Sequence, residues 1–375
     1  MSHGAPPTPP TPSTPVAPSS ASVAPSAESL RTIASADGAS FDGAELAVVL
    51  SRYDIGVINS IHRFRRGSES SPKVLVRAAR GDFILKRRAP ERVDASRVRF
   101  SHRVQMHLAD RRFPLPRLVR SRLDGATLIN LDDRLYEMFE YIHGEKYDQS
   151  LATTASAGQA LANLHLALAD FPPGEEPAGS TYHNADGVRA NLEALDQQLG
   201  ADHHATIETL REQYEDAALR AEERGLSQWP VQVIHGDWHA GNMLFRNGEV
   251  VAVIDYDTVR AAPRVIDVAN GALQFSLQRG DQGNADPASW PAAPDEARLR
   301  KFCRGYDGVQ GCIISTAELH AMPWLMVEAL LAEATGPVAT TGRFGGIDGG
   351  SFLRMIATKS DWIRKNGDLL TRSLA

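Results

Sequence analysis

The chain has 375 residues, 40 Lys+Arg against 46 Asp+Glu, and a formal net charge of −6. With 42% hydrophobic and 23% charged residues it has the composition of a globular protein, which excludes a collagen-like chain, a coiled-coil rod and a wholly disordered chain. The negative balance argues against a dedicated nucleic-acid binder, no run of about 18 apolar residues offers a membrane span, and Cys303 and Cys312 are too few for a disulfide framework and read as reduced thiols of a cytoplasmic protein.

In chain order, residues 1–28 form a Pro/Ser/Ala-rich tail, which buries too little apolar surface to offset the entropy of ordering. Phe41 to Leu50 has the spacing of a short amphipathic helix. Strands are predicted over Gly56–Ile61, Lys73–Ala78 and Asp82–Lys86, the last two joined at Ala79-Arg-Gly81. A helix over Asp94–Asp110 follows and stops at Phe113-Pro-Leu-Pro116. Two more strands fall around Thr127–Asn130 and Leu135–Ile142. From Thr153 the pattern turns helical, over Ala155–Ala169 and Gly187–Glu223, interrupted by a strand pair at Val231–Ile234 and Val250–Ile254. A loop is predicted at Asn284–Glu296 and another, rich in Gly and Thr, at Gly336–Gly350. The reading is a strand-rich lobe over 29–142 and a larger helical lobe over 143–375, an α+β class. The charge follows this division. Residues 63–122 hold 18 basic and five acidic side chains, +13, so the remainder carries −19.

Two polar clusters stand beside short apolar strands: His235-Gly-Asp237-Trp-His239-Ala-Gly-Asn242, and Ile254-Asp255-Tyr-Asp257. A strand ending at Asp255 and pairing with the Asn242–Phe245 segment brings Asp237, Asn242 and Asp255 together. Their hard oxygens suit Mg²⁺ with phosphate, and a further carboxylate beside them can accept a proton from an attacking hydroxyl. His235, Asp237 and His239 are also competent ligands for a hydrolytic zinc.

His235-x-Asp237-x-x-x-x-Asn242 followed by Ile254-Asp255-Tyr-Asp257 resembles the signature of the aminoglycoside phosphotransferase and choline kinase group. Ala262-Pro-Arg-Val-Ile-Asp267-Val-Ala, His143-Gly-Glu145 and Leu161-Ala-Asn-Leu-His165 extend the likeness over residues 56–375. The resemblance implies a two-lobed protein-kinase-like fold, with a small antiparallel sheet and a larger, mostly helical lobe. The implied reaction is transfer of the γ-phosphoryl group of ATP to a small-molecule hydroxyl, with Mg²⁺. It implies Asp237 as catalytic base, Asn242 and Asp255 as Mg²⁺ ligands with Asp257 assisting, and His235 and Asp267 as supports.

Lys86, in the apolar strand Phe83-Ile-Leu-Lys, is then expected to meet the phosphates. Gly67 and Ser68 lie in the loop expected to cover them, and Phe139, Glu140 and Tyr141 in the hinge expected to read adenine. Kinases pair this lysine with a helix Glu, yet Ala95–Ala109 has no acid. Glu91 or Asp94 reaching in, or a neutral contact from His102 or Gln105, is the expected substitute, and a catalytically weak relative or scaffold stands as the alternative. For the acceptor, Trp324, Glu328 and Glu333, with Trp362, Phe344 and Phe352, suggest a pocket for an amine-bearing substrate.

Overall fold

The computed structural model describes Met1 and residues 41–64, 71–88, 94–172, 179–280 and 286–374. The tail, the loop carrying Gly67 and Ser68, and Glu91 fall outside them.

The N-terminal lobe is an antiparallel sheet in the order β1-β2-β3-β5-β4, formed by β1 (Ile58–Arg63), β2 (Lys73–Ala78), β3 (Gly81–Arg87), β4 (Ile129–Leu131) and β5 (Arg134–Glu140). Alternation along β2, β3 and β5 sends Val74, Val76, Phe83, Leu85, Tyr136 and Met138 into a core with Phe41 and with Leu46 and Val49 of helix α1 (Gly43–Leu50). A capping box between Asp42 and Glu45 starts α1. Arg87 shares the core face: it reaches Glu45 at 2.7 Å and lies over the Phe41 ring. Lys86, the next residue, therefore points to the opposite face.

Helix α2 (Ala95–Asp110) covers that opposite face, but its apolar stripe of Phe100, Val104 and Leu108 belongs to the core of the helical lobe. Sheet and α2 are thus anchored in different cores.

The helical lobe holds α3 (Leu151–Leu168), α4 (Asp186–Leu199), α5 (Ala201–Glu223), α6 (Val265–Ser276), α7 (Glu296–Asp307), α8 (Thr316–Thr341), α9 (Gly349–Lys365) and α10 (Gly367–Leu374). Helices α3 and α7 meet where Gly158 faces Phe302 and Gly305 faces Ala155; a Cβ on either glycine would stand little more than 2 Å from a backbone oxygen. Among the described residues no helix is long and apolar enough to cross a membrane, and both cysteines are buried and free.

Three expectations are corrected. The stretch predicted as one helix over Gly187–Glu223 breaks at Gly200, whose φ of +73° no helix accommodates. The segment Gly336–Gly350 is not one loop. Burial of Ala334, Thr335 and Val338 carries α8 on to Thr341, and Gly342 ends it in the left-handed region. Only a short hairpin follows, β10 (Arg343–Phe344) with β11 (Ile347–Asp348), its Phe344 stacked on Phe352 at 4.0 Å. Finally, the strand ending at Asp255, β8 (Glu249–Val253), does pair with the Asn242–Phe245 segment as expected, but it does not pair with β6 (Val231–Ile234). β6 pairs with β9 (Arg260–Pro263), and β8 with β7 (Met243–Arg246), giving two small hairpin-like sheets that present the loops between them to the cleft.

Candidate active site

The loop after β6 is shaped by one carboxylate. Asp267, in the first turn of α6 and 1% exposed, accepts from the backbone N–H of His235 at 2.7 Å and of Gly236 at 2.8 Å. Gly236 has φ +79°, and a Cβ there would lie 2.5 Å from the Thr258 carbonyl oxygen, so the tight approach of the two loops needs glycine. His235 is buried. Its Nε2 donates to the Ile254 carbonyl at 3.2 Å and its Nδ1 accepts from the Asp237 N–H at 3.3 Å. This is the bonding of a neutral imidazole, and burial pushes its pKa down, against the pull of Asp267 and Asp237. With both nitrogens engaged on backbone, His235 is not free to bind zinc.

These bonds present Asp237 to the cleft, about a third of its side chain exposed. Burial pushes its pKa up, but His239, His235 and the Asn242 amide outweigh this and hold it below the usual value. Asn242 Nδ2 donates to Asp237 Oδ2 at 2.9 Å and to its carbonyl at 3.0 Å, which leaves the Asn242 Oδ1 turned away from Asp237. His239 Nε2 stands 3.4 Å from Asp237 Oδ2. The Ile254 N–H donates to the Asn242 carbonyl at 2.9 Å and joins the two clusters. Asp255 follows with φ +66° and ψ +70°, a left-handed conformation costly for a residue with a side chain. It is exposed, and among the described residues its carboxylate makes no hydrogen bond or ion pair. Its charge is felt by Lys86, Lys73 and His239. Asn242 and Asp255 thus offer uncommitted oxygens beside Asp237, a donor set that fits Mg²⁺.

Lys86 lies across the cleft, and its partner overturns the expectation. Asp94 caps α2 through the Ser96 N–H, Gln105 donates to Ser101, and neither reaches Lys86. The partner is Glu137, which faces Lys86 in the register of β3 and β5, with Nζ and Oε1 3.1 Å apart. Glu137 is fully buried. It also takes Arg88 at 2.9 Å and His102 Nε2 at 2.7 Å, and the charges of Lys86 and Arg88 with the His102 hydrogen bond hold its pKa far below the usual range against the cost of burial. His102 therefore meets the carboxylate rather than the lysine. Arg88 also grips Asp257, Nη2 to Oδ1 at 2.7 Å and Nη1 to Oδ2 at 3.0 Å, with Lys86 3.5 Å away. Asp257, expected to assist with the metal, has both oxygens committed to the N-terminal lobe. Of the basic block, Lys86 and Arg88 face the cleft, while Arg80, Arg87 and Arg111 pair elsewhere with Asp54, Glu45 and Asp170.

The hinge leaves β5 at Glu140. Its N–H donates to Arg117 and that of Tyr141 to Asp82, so neither N–H is spare for a ligand. Glu145 then exchanges two backbone hydrogen bonds with Phe245, at 2.7 and 2.9 Å, tying the hinge exit to β7.

On α8 the three expected acceptor residues part company. Glu333 is solvent-exposed on the Asp237 side of α8, accepts from Gln274 of α6, and is pushed up to about 7 by partial loss of hydration and then by Asp237, with His239, the Gln274 hydrogen bond and Arg279 opposing. Glu328 is buried in the helical lobe against His183 and the Asn184 N–H, and Trp324 lies under Arg220 and Arg224. At 3.6 residues per turn Glu328 lies about 140° and Trp324 about 180° around the helix from Glu333, so they cannot share its face.

The sequence profile of the phosphotransferase enzyme family matches residues 60–312, two thirds of the chain. The chain belongs to this family. It is a small-molecule kinase that uses ATP as donor and a hydroxyl as acceptor. A homoserine kinase of Hyphomonas neptunium is 28% identical over 75% of this chain and 81% of its own length. One of Xanthobacter autotrophicus is 33% identical over 57% of this chain and 63% of its own. The fold is shared with an aminoglycoside phosphotransferase from Alicyclobacillus acidocaldarius (TM-score 0.63, 16% identity, 88% of this chain and 96% of that one). It is shared equally with a microcompartment-associated aminopropanol kinase (TM-score 0.63, 17% identity, 89% and 100%).

Proposed function

We propose that this kinase phosphorylates the hydroxyl of a small amine-bearing acceptor of the homoserine or amino-alcohol class, with Asp237 as its catalytic base. The carrying observation is the Asp237 carboxylate, ionised, oriented by Asn242 and open to the cleft opposite Lys86. Asp237 would take the proton of the acceptor hydroxyl as that oxygen bonds to the γ-phosphorus and the bond from γ-phosphorus to ADP breaks. Lys86 would hold the phosphates. Asn242 and Asp255 would hold Mg²⁺, which when bound supplies positive charge to the phosphate oxygens. Glu333 would receive the acceptor's ammonium group, a role supported by its place near Asp237 and by the names of the homoserine and aminopropanol kinases.

The test is ATP consumption by the full chain over a panel of homoserine, aminopropanol, related amino alcohols and uncharged alcohols. Asp237→Asn should lower kcat on the best acceptor by about 10²–10⁴-fold while nucleotide affinity stays near wild type. Full turnover in that variant would remove Asp237 from the chemistry. ATP binding without turnover on any acceptor would favour a scaffold.

A further inference from the structure

We propose that Glu137, on a strand of the sheet, is the positioning residue for Lys86, doing the work that an acidic residue on α2 would do in a kinase with the helix-borne pair. This rests on the reading of Lys86 as the phosphate-holding lysine.

Four observations converge. The described part of α2, Ala95–Asp110, carries no acid before its last residue, so the helix has nothing to offer Lys86. Glu137 is the direct register partner of Lys86 in the β3–β5 ladder. A register partner is fixed by backbone hydrogen bonds on both sides, so its side chain starts from a set distance. Glu137 is 0% exposed, and a buried carboxylate persists only where charges and donors meet it; Lys86, Arg88 and His102 do so at 3.1, 2.9 and 2.7 Å. The place an acidic residue would take on α2 is held by His102, which donates to the same carboxylate and is steadied by Thr127 at 2.8 Å.

The change of element alters how the site is governed. A carboxylate on a helix can swing away with the helix and break the pair. A carboxylate in the sheet leaves only if β3 and β5 part. Here α2 is packed into the core of the helical lobe through Phe100, Val104 and Leu108, so the lysine and its partner belong to one lobe and the helix to the other. Lys86 is therefore held ready whether or not α2 moves. The contacts that cross from this pair to the other lobe are those of Arg88 and Lys86 with Asp257 and that of His102 with Glu137.

The experiment compares Lys86→Met, Glu137→Gln and the swap His102→Glu/Glu137→Gln, which transfers the carboxylate from strand to helix. ATP kinetics are measured on the best acceptor, nucleotide affinity by direct titration with ADP, and folding by thermal unfolding. Lys86→Met and Glu137→Gln should each lower kcat/KM for ATP by about 10²-fold. The swap should regain at least about tenfold of this, which a carboxylate serving only to pack the sheet would not allow. Wild-type ATP kinetics in Glu137→Gln, with Lys86→Met impaired, overturns the proposal and spares the reading of Lys86. Wild-type kinetics in Lys86→Met overturns that reading first. If Glu137→Gln fails to fold, the swap decides: folded with restored ATP kinetics upholds the proposal. A swap that folds but resembles Lys86→Met, or that fails to fold, overturns it.

Discussion

Two buried carboxylates stand behind the two walls of the cleft. On the sheet side, Glu137 gathers Lys86, Arg88 and His102. On the loop side, Asp267 gathers the N–H groups of His235 and Gly236. Glu137 fixes where side-chain charges sit and leaves the backbone to the sheet. Asp267 fixes backbone shape in a segment with no ladder of its own, and leaves the half-buried Asp237 carboxylate with His239 as its ion-pair partner among the described residues. Their failure modes should therefore differ: loss of one scatters charge, loss of the other deforms a loop.

Removing the loop brace should have the largest effect. Asp267→Ala leaves the buried His235 N–H without an acceptor, at about 1–3 kcal/mol, exposes the half-buried Gly236 N–H to the same loss in part, and frees the turn that aims Asp237. Both the unfolding free energy and kcat should fall, kcat by about 10²-fold or more, with ADP affinity little changed. Equal loss of ADP affinity would show that Asp267 also shapes the nucleotide wall and would dissolve the contrast with Glu137.

The same contrast explains what was legible in the sequence. Asp237, Asn242, Asp255 and Asp267 lie within about thirty residues, and the strand ends that bring them together are local, so spacing and family likeness found them. The Lys86 partner was missed because β3 pairs with β5 across some fifty residues. The signal was there: Glu137 is the one acid in the apolar run Leu135-Tyr-Glu-Met-Phe139, and alternation puts it between Leu135 and Phe139 on the strand face opposite Tyr136 and Met138, the face that Lys86 also shares. The division of α8 was legible too. Helical arithmetic separates Glu333 from Glu328 and Trp324, but which face meets the cleft is set by packing against α6 and α5, which spacing does not reveal. The pairing of β6 with β9 was not legible, because Arg260-Ala-Ala-Pro263 has no apolar run and ends in a proline, so the segment does not read as a strand.

Glu333 sharpens the comparison with a third carboxylate, one that among the described residues accepts a hydrogen bond from the Gln274 amide and forms no ion pair. Its pKa of about 7 means that it becomes ionised as pH rises through neutrality. If it receives an ammonium group, KM for an amine-bearing acceptor should fall as pH rises across that range. Glu333→Gln should flatten this dependence and raise KM above neutrality by about tenfold, with kcat nearly unchanged. A pH profile of KM identical in the two proteins would take Glu333 out of acceptor binding.

The smallest effect is expected on the far face of the same helix. His183 bridges Glu328 at 2.8 Å and Glu222 at 2.9 Å, linking α8 to α5. Burial pushes its pKa down, but the two carboxylates outweigh this and hold it above the ordinary 6.5. A group whose pKa is raised by folding stabilises fully below its unfolded value and loses that contribution as pH rises through the folded one. His183→Gln should therefore cost about 2 kcal/mol in urea unfolding on the acid side, and the gap from wild type should narrow as the solution becomes alkaline. A gap independent of pH would mean that the imidazole acts by packing alone. The acceptor KM of this variant carries the argument back to the cleft. If α8 is a rigid rod, loosening its buried face leaves Glu333 in place and KM unchanged; a raised KM would show that the His183 bridge sets the pose of the acceptor carboxylate.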